Sequence, residues 1–99
     1  MVLAKVVGTL VSTQKESSMD GLKFLVLQNV DIEGQSRSGF VIAADVVDAG
    51  IGEMVLYASG SSARQTVQTD KRPCDAVVMA IVDNWETDGE FKYKKGIND

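Results

Sequence analysis

The chain has 99 residues, of which 44% are hydrophobic and 24% are charged, and its net charge is −4. This composition is typical of one small globular domain. The absence of histidine excludes Ser-His-Asp catalysis and imidazole metal ligands, and the single cysteine, Cys74, excludes an intrachain disulfide. The negative net charge argues against a nucleic-acid partner, because binding to phosphates needs an excess of basic residues. No apolar run reaches the roughly 18 residues of a membrane helix. We therefore expect a small intracellular domain that binds no cofactor, metal, nucleic acid or membrane.

The predicted elements are strands, because Val, Ile and Thr dominate the apolar segments and nine glycines punctuate them. We predict strands at residues 2–12, 22–31, 40–45, 53–58, 77–85 and 90–94. The pair Asp88-Gly89 predicts a hairpin between the last two strands. A short helical turn is predicted over residues 60–65, where Ser61 and Ser62 offer N-caps. The pattern as a whole indicates an all-β fold.

The second and fifth predicted strands are apolar on both faces. Phe24 and Val26 alternate with Leu25 and Leu27 in the second strand, and successive side chains of a strand point to opposite faces. A small barrel needs only its inner face to be apolar. Since no long helix is predicted to cover the outer face, we expect a neighbouring subunit to cover it. Either face could be the inner one; the core candidates are Val6, Leu25, Leu27, Val55, Val78 and Ile81.

The sequence contains few candidates for chemistry. Asp45 and Asp48 flank a tight loop, and Asp75 and Asp83 flank a strand. Paired carboxylates can act as acids or bases, although solvated loop ends and turn caps are the more common roles of such aspartates. Cys74 has no histidine to activate it, so a structural thiol is favoured. The turn that begins at Gly60 resembles an anion-binding nest, but a plain helix cap explains the same residues.

Five sequence blocks occur in the order and spacing of a known family. They are VVGTLVSTQK at 6–15, LKFLVLQ at 22–28, AADVVDAGIGE at 43–53, GSSARQ at 60–65, and RPCDA at 72–76 followed by AIVD at 80–83. Together they resemble the bacterial microcompartment vertex proteins of the EutN/CcmL family, also called BMC-P. Asp48 stands where glycine is common in that family, and Cys74 replaces an aliphatic residue. We expect one BMC-P domain over residues 1–99, with a C-terminal hairpin or tail at 85–99 outside the firm resemblance.

The resemblance implies a five-stranded, OB-like β-barrel with one short helical turn, which assembles as a cyclic homopentamer. It implies a structural, non-enzymatic shell protein in the bacterial cytoplasm. The pentamer would cap a vertex of an icosahedral, carboxysome-like shell, next to hexameric shell proteins and around enclosed enzymes. By the same resemblance, Gly60, Ser61 and Ser62 are candidates for the rim of a pore on the fivefold axis, and Arg64 for a contact between subunits. Gln14 and Lys15 are candidates for contacts with neighbouring shell proteins.

Three alternatives remain open from the sequence. The first is an OB-type module that binds nucleic acid or another ligand, because OB barrels commonly bind single strands. The second is a small enzyme that uses Asp45 and Asp75 at a shared interface. The third is an oligomer without a role in a shell.

Overall fold

The computed structural model of the protein describes residues 1–10, 23–60 and 75–96. Its strands are β1 (Val2–Leu10), β2 (Lys23–Val30), β3 (Ser36–Asp45), β4 (Met54–Ser59), β5 (Ala76–Ile81), β6 (Asn84–Thr87) and β7 (Glu90–Lys94). The first five close into a barrel in the order β1-β2-β3-β5-β4, while β6 and β7 form a separate hairpin. Neighbouring barrel strands are antiparallel except β3 and β5. The prediction of an all-β, five-stranded barrel is confirmed; beyond Gly60, the predicted helical turn lies outside the described residues.

The barrel interior settles which strand faces form the core. Leu25 and Leu27 are almost completely buried, whereas Phe24 and Val26 on the opposite face of β2 are only partly covered. The buried inner cluster is formed by Ala4, Val6, Leu25, Leu27, Ala43, Ala49, Val55, Tyr57, Ala76 and Val78, with Ile81 packed against it. The predicted core is therefore confirmed, with Ile81 at its margin. Burial of each large aliphatic side chain contributes about 1.5–3 kcal/mol.

Two predicted strand boundaries are wrong. The segment 77–85 is not one strand, because β5 ends at Ile81 and β6 begins at Asn84. Between them, the Val82 N–H donates to the Met54 carbonyl, and the Asp83 carbonyl accepts from the Lys95 N–H, both at 2.8 Å. The backbone is therefore hydrogen-bonded to barrel strand β4 at Val82 and to the end of the hairpin at Asp83, the next residue. In addition, β3 begins at residue 36 rather than 40, because its first residue already pairs with the end of β2.

The β6–β7 hairpin covers part of the outer surface of the barrel. Its turn places Asp88 at φ 52° and Gly89 at φ 76°, the paired left-handed geometry of a tight hairpin turn. Tyr93 is 2% exposed and forms a buried cluster with Val30 and Met54, against which Leu3, Val82 and Trp85 pack. Leu3 and Met54 alternate with inward-facing Ala4 and Val55. The hairpin therefore shields the outer face of β1 and β4.

A bulge in the hairpin divides its aromatic residues between two faces. Trp85 pairs with Tyr93, and the next residue of β6, Glu86, pairs with Phe91, so Lys92 is the extra residue of β7. An extra residue inverts the alternation of side chains that follow it. Trp85 and Tyr93 consequently stack on the packed side, with ring centroids 5.2 Å apart. Phe91 is half exposed on the other side.

Candidate assembly surface

The buried carboxylate of Asp45 supports a loop. One of its oxygens accepts a hydrogen bond from the Val47 N–H and the other from the Ala49 N–H, both at 3.0 Å. Since both oxygens are engaged by backbone donors, the carboxylate fixes the turn that follows β3. Across the described ranges 1–10, 23–60 and 75–96, no group of three or more metal-ligating side chains occurs.

Asp48 continues this loop in a left-handed conformation. Its φ is 60°, a value that glycine adopts at lower cost than other residues, although aspartate tolerates it better than most. This geometry is the physical reason that glycine suits the position. The Asp48 carboxylate accepts a hydrogen bond from Lys23 Nζ at 2.8 Å. That bond and the accompanying charge attraction lower the pKa of Asp48 and raise the pKa of Lys23.

A second ion pair joins the same loop to the end of the hairpin. Glu53 Oε2 lies 2.6 Å from Lys95 Nζ, and Glu53 Oε1 accepts a hydrogen bond from the Gly50 N–H. The hydrogen bond from Lys95 is the main cause that lowers the pKa of Glu53, and the hydrogen bond from the Gly50 N–H is the second. The hydrogen bond to Glu53 also raises the pKa of Lys95. The loop and the hairpin are thereby held together at one end of the barrel.

Contacts with the β2–β3 connection hold the other side of the hairpin. Trp85 Nε1 donates a hydrogen bond to the Ile32 carbonyl at 2.7 Å. Lys92 Nζ lies 3.0 Å from Glu33 Oε2, and the pKa of Lys92 is raised mainly by its hydrogen bond to Glu33. The hairpin is therefore part of the folded subunit, joined to it by buried aromatic packing and by polar contacts.

Part of the outer face of β1, β2 and β3, away from the hairpin, is apolar and open. Ile42 of β3 pairs with Val26 of β2, which in turn pairs with Gly8 of β1. Phe40, two residues before Ile42, is 65% exposed, and Ile42 is 45% exposed. We call the surface formed by Gly8, Val26, Phe40 and Ile42 the open face. Clustered exposure of large apolar side chains is typical of an interaction surface.

A bulge in β3 lies directly before Phe40, whose side chain is exposed on this face. Gln28 pairs with Phe40 and Val30 with Ser36, so residues 37–39 lie opposite a single residue of β2. Gln28 Nε2 donates hydrogen bonds to the carbonyls of Arg37 and Gly39. Gly39 has φ 97°, which glycine adopts without steric cost. Sequence reasoning missed this feature, although an isolated glycine within a strand pattern is a signal for a bulge.

The site residues predicted by resemblance fall almost entirely outside the described residues. Gly60 is described: its φ is 64°, as expected for a glycine at a turn, and its N–H donates to the Asp75 carbonyl at 2.8 Å. Other predicted positions lie beyond the described ranges, namely Gln14, Lys15, Ser61, Ser62, Arg64 and Cys74.

The described residues form a closed barrel with an open apolar face, and such a face is typical of proteins that assemble with partners. Comparison with known proteins identifies the family. The family described as "Ethanolamine utilisation protein EutN/carboxysome" matches residues 1–83, and the chain belongs to this EutN/CcmL family.

Individual relatives extend the similarity over nearly the whole chain. The carboxysome shell vertex protein CcmL of Gloeobacter violaceus is 48% identical over 95 residues, covering 96% of this chain and 95% of that protein. The solved structure of Gloeobacter violaceus CcmL matches with a TM-score of 0.92 over 96% of this chain and 98% of that one. The GrpN pentameric microcompartment shell protein of Rhodospirillum rubrum matches at 41% identity with a TM-score of 0.80, covering 88% of this chain and 99% of that one.

These similarities decide between the interpretations left open by the sequence. The predicted structural role in a microcompartment shell of the bacterial cytoplasm is confirmed, because the relatives are shell vertex proteins and not enzymes. The OB-type binding module is not supported, since the matched proteins are shell components. Within the described part of the chain, no helix is long and apolar enough to cross a membrane.

Proposed function

We propose that this chain forms a homopentamer that caps the vertices of a bacterial microcompartment shell. The observation that carries the proposal is similarity to shell vertex proteins along almost the full chain, at up to 48% identity among those compared. The pentameric relative GrpN shares the barrel, and the open face supplies apolar surface for subunit contacts. The role is structural: the pentamer closes a shell around enclosed enzymes.

The neighbours of the pentamer in the shell are hexameric shell proteins. Five identical subunits fit a fivefold vertex because cyclic symmetry repeats one contact around the axis. A flat layer of hexamers requires such fivefold units in order to close. Gln14 and Lys15 are proposed to contact these hexamers.

The turn that begins at Gly60 is proposed to line the fivefold axis. The left-handed φ of 64° at Gly60 supports a tight turn at this point. Ser61 and Ser62 then contribute polar groups to the rim, and Arg64 joins neighbouring subunits, because its guanidinium offers five donors in a fixed fork. We also propose that residues 1–99 form one domain, since β6 and β7 pack on the barrel.

Co-assembly with hexameric shell proteins tests the proposal. Electron microscopy of hexamers expressed with this chain is expected to show closed polyhedral shells, and expression of hexamers alone is expected to give sheets or open tubes. Native mass spectrometry of the isolated chain is expected to show a pentamer of the 10.6 kDa subunit. A monomer in the second measurement, or an unchanged morphology in the first, would contradict the proposal.

Arg64→Ala separates the two roles available to this side chain. If Arg64 joins subunits, the variant is expected to dissociate at concentrations at which the wild type remains pentameric. If Arg64 faces the axis instead, assembly persists and bound anion at the axis is lost. An unaltered pentamer with unchanged axial solvent in a crystal structure would contradict both roles.

A further inference from the structure

We infer that the β6–β7 hairpin is a strap that detaches from the barrel and unfolds as one unit while the barrel stays closed. Its opening uncovers the apolar outer face of β1 and β4, against which Tyr93 and Trp85 pack. The closed strap is therefore an autoinhibitory cover over that face. The inference goes beyond the proposed function, because it concerns a motion within one subunit and does not depend on how many subunits assemble.

The first argument is that the hairpin and the barrel are separate sheets. Among the described residues, no β-ladder joins β6 or β7 to a barrel strand. Val82 is the last residue before the hairpin that binds the barrel, because its N–H donates to the Met54 carbonyl. The carbonyl of the next residue, Asp83, already accepts from the Lys95 N–H at the far end of the hairpin. Since all five barrel strands precede this point, the hairpin can leave without breaking a hydrogen bond between barrel strands.

The second argument is that the two sheets have separate hydrophobic clusters. The barrel interior is filled by side chains of β1 to β5 and of the loop after β3, and none of the described residues in that cluster belongs to the hairpin. Tyr93 and Trp85 pack instead on the outer face, with Val30, Met54 and Leu3. The interior therefore stays packed when the strap leaves. Contiguous units of one protein can open separately, each with its own free energy.

The third argument concerns the contacts that hold the strap on the β2–β3 connection. Trp85 Nε1 donates to the Ile32 carbonyl at 2.7 Å, and Lys92 Nζ lies 3.0 Å from Glu33 Oε2. A Cβ at Gly34 would lie 3.9 Å from the Trp85 ring and 3.9 Å from the Lys92 carbonyl oxygen, so the strap rests directly on this turn. These are side-chain and surface contacts, which can be lost without any change in the barrel ladders.

A second fastening holds the end of the strap. Lys95 Nζ lies 2.6 Å from Glu53 Oε2, at the end of the loop after β3. Each of the two ion pairs has an exposed partner, since the side chains of Glu33 and Lys95 are 57% and 40% exposed, and exposed ion pairs contribute little. An isolated two-stranded hairpin is marginally stable in water, and the extra residue Lys92 interrupts this one. The strap therefore unfolds once it detaches.

Hydrogen exchange of the full chain at neutral pH tests the inference. The ladder amides of β6 and β7 are expected to exchange through one common opening. Its equilibrium constant is expected to be at least about tenfold larger than that of the β2 amides. Hairpin amides protected as strongly as those of β2 would overturn the inference, because the hairpin and the barrel would then open only together.

Val78→Ala tests whether the strap opens independently of the barrel. Val78 is completely buried in the barrel interior, so its truncation is expected to raise the opening constant of the β2 amides about tenfold. The opening constant of the hairpin amides is expected to stay the same, because the barrel remains folded on both sides of that equilibrium. A parallel rise in the hairpin amides would overturn the inference.

Glu33→Gln and Glu53→Gln test whether the strap is one unit, because the two glutamates hold it at different places. Each substitution is expected to raise the opening constant of all hairpin amides about threefold. Glu86→Gln is the matched control, since Glu86 lies on the exposed side of the hairpin, and it is expected to change nothing. Effects confined to the amides beside each substituted glutamate, or an equal effect of the control, would overturn the inference.

The outcomes are independent of the proposed function. A wild-type chain that is not pentameric overturns the proposed function and leaves the strap unaffected, whereas equal protection of hairpin and barrel overturns the strap alone. If Val78→Ala does not fold, the wild-type exchange pattern and the two glutamate variants decide the question.

Discussion

The outer surface of the barrel has two regions with similar sequence character and different exposure. Over β1 and β4, the chain places Tyr93 and Trp85 of its own hairpin against the strands. Over β2 and β3, the comparable surface remains open, with Phe40 and Ile42 exposed. The comparison shows two ways to cover the apolar outer face of such strands. Another part of the same chain can cover it, or a neighbouring subunit can. Substitutions in the first region should act on folding, and those in the second should act on assembly.

Tyr93→Ala is expected to have the largest effect on folding. Tyr93 is 2% exposed, so its truncation leaves a cavity and is expected to lower the free energy of unfolding by about 3–5 kcal/mol. Phe91→Ala, on the exposed side of the same strand, is expected to change it by no more than about 0.5 kcal/mol. Urea unfolding followed by circular dichroism at two protein concentrations measures both. Equal effects of the two substitutions would contradict the assignment of a packed and an exposed hairpin face.

Trp85→Phe isolates the polar part of the hairpin attachment. Phenylalanine retains a ring to stack on Tyr93 but cannot donate to the Ile32 carbonyl, which Trp85 Nε1 contacts at 2.7 Å. The expected loss in the free energy of unfolding is about 1 kcal/mol. Circular dichroism is the suitable readout, because Trp85 is the single tryptophan of the chain. No loss would mean that this hydrogen bond contributes nothing to holding the hairpin on the barrel.

Glu53→Gln is expected to remove a pH-dependent contribution to stability. The pKa of Glu53 lies below its ordinary value of 4.5 because of hydrogen bonds from Lys95 and from the Gly50 N–H. A lowered pKa in the folded state adds stability that is complete above the ordinary pKa and disappears as the pH falls through the lowered value.

The difference in unfolding free energy between wild type and Glu53→Gln should therefore be constant near neutral pH and shrink below pH 4.5. Urea unfolding across this pH range measures it. Glu86→Gln, on the exposed side of the hairpin, is the matched control and should change the unfolding free energy at neutral pH by no more than about 0.5 kcal/mol. A difference between wild type and Glu53→Gln that does not vary with pH would contradict the role given to this ion pair.

Asp48→Gly is expected to have the smallest effect. The substitution relieves the cost of φ 60° at a residue with a side chain, but it removes the exposed ion pair with Lys23. Exposed ion pairs contribute little, so the melting temperature is expected to change by less than about 4 °C, with an increase favoured. A large decrease would show that the ion pair, rather than the backbone, determines the choice of residue here.

Much of the barrel could be predicted from local sequence patterns, and the missing parts depended on distant contacts. The core candidates Leu25 and Leu27 follow from alternation, but their inward orientation required the pairing of β2 with its neighbours. The break after Ile81 depends on Lys95, whose N–H binds the Asp83 carbonyl, and no local pattern reveals such a bond.

The open face was harder to predict than the core. The sequence indicated that a neighbouring subunit covers an outer face, but it did not indicate which strands form that face. Two bulges explain the difficulty, because the extra residues near Gly39 and at Lys92 interrupt the regular strand pairing next to Phe40 and Phe91. The blocks at 60–65 and 72–76 indicated the family directly, since a motif carries that information without knowledge of side-chain orientation.

A high-resolution structure of the assembled protein, by crystallography or electron cryomicroscopy, would show how many copies assemble and which surfaces meet. We expect a ring of five subunits in which Phe40 and Ile42 are buried against a neighbouring copy. We also expect Phe91 to keep the half-exposed surface that it has in the single subunit. A ring with another number of subunits, or a pentamer in which Phe40 and Ile42 remain open to solvent, would contradict the account.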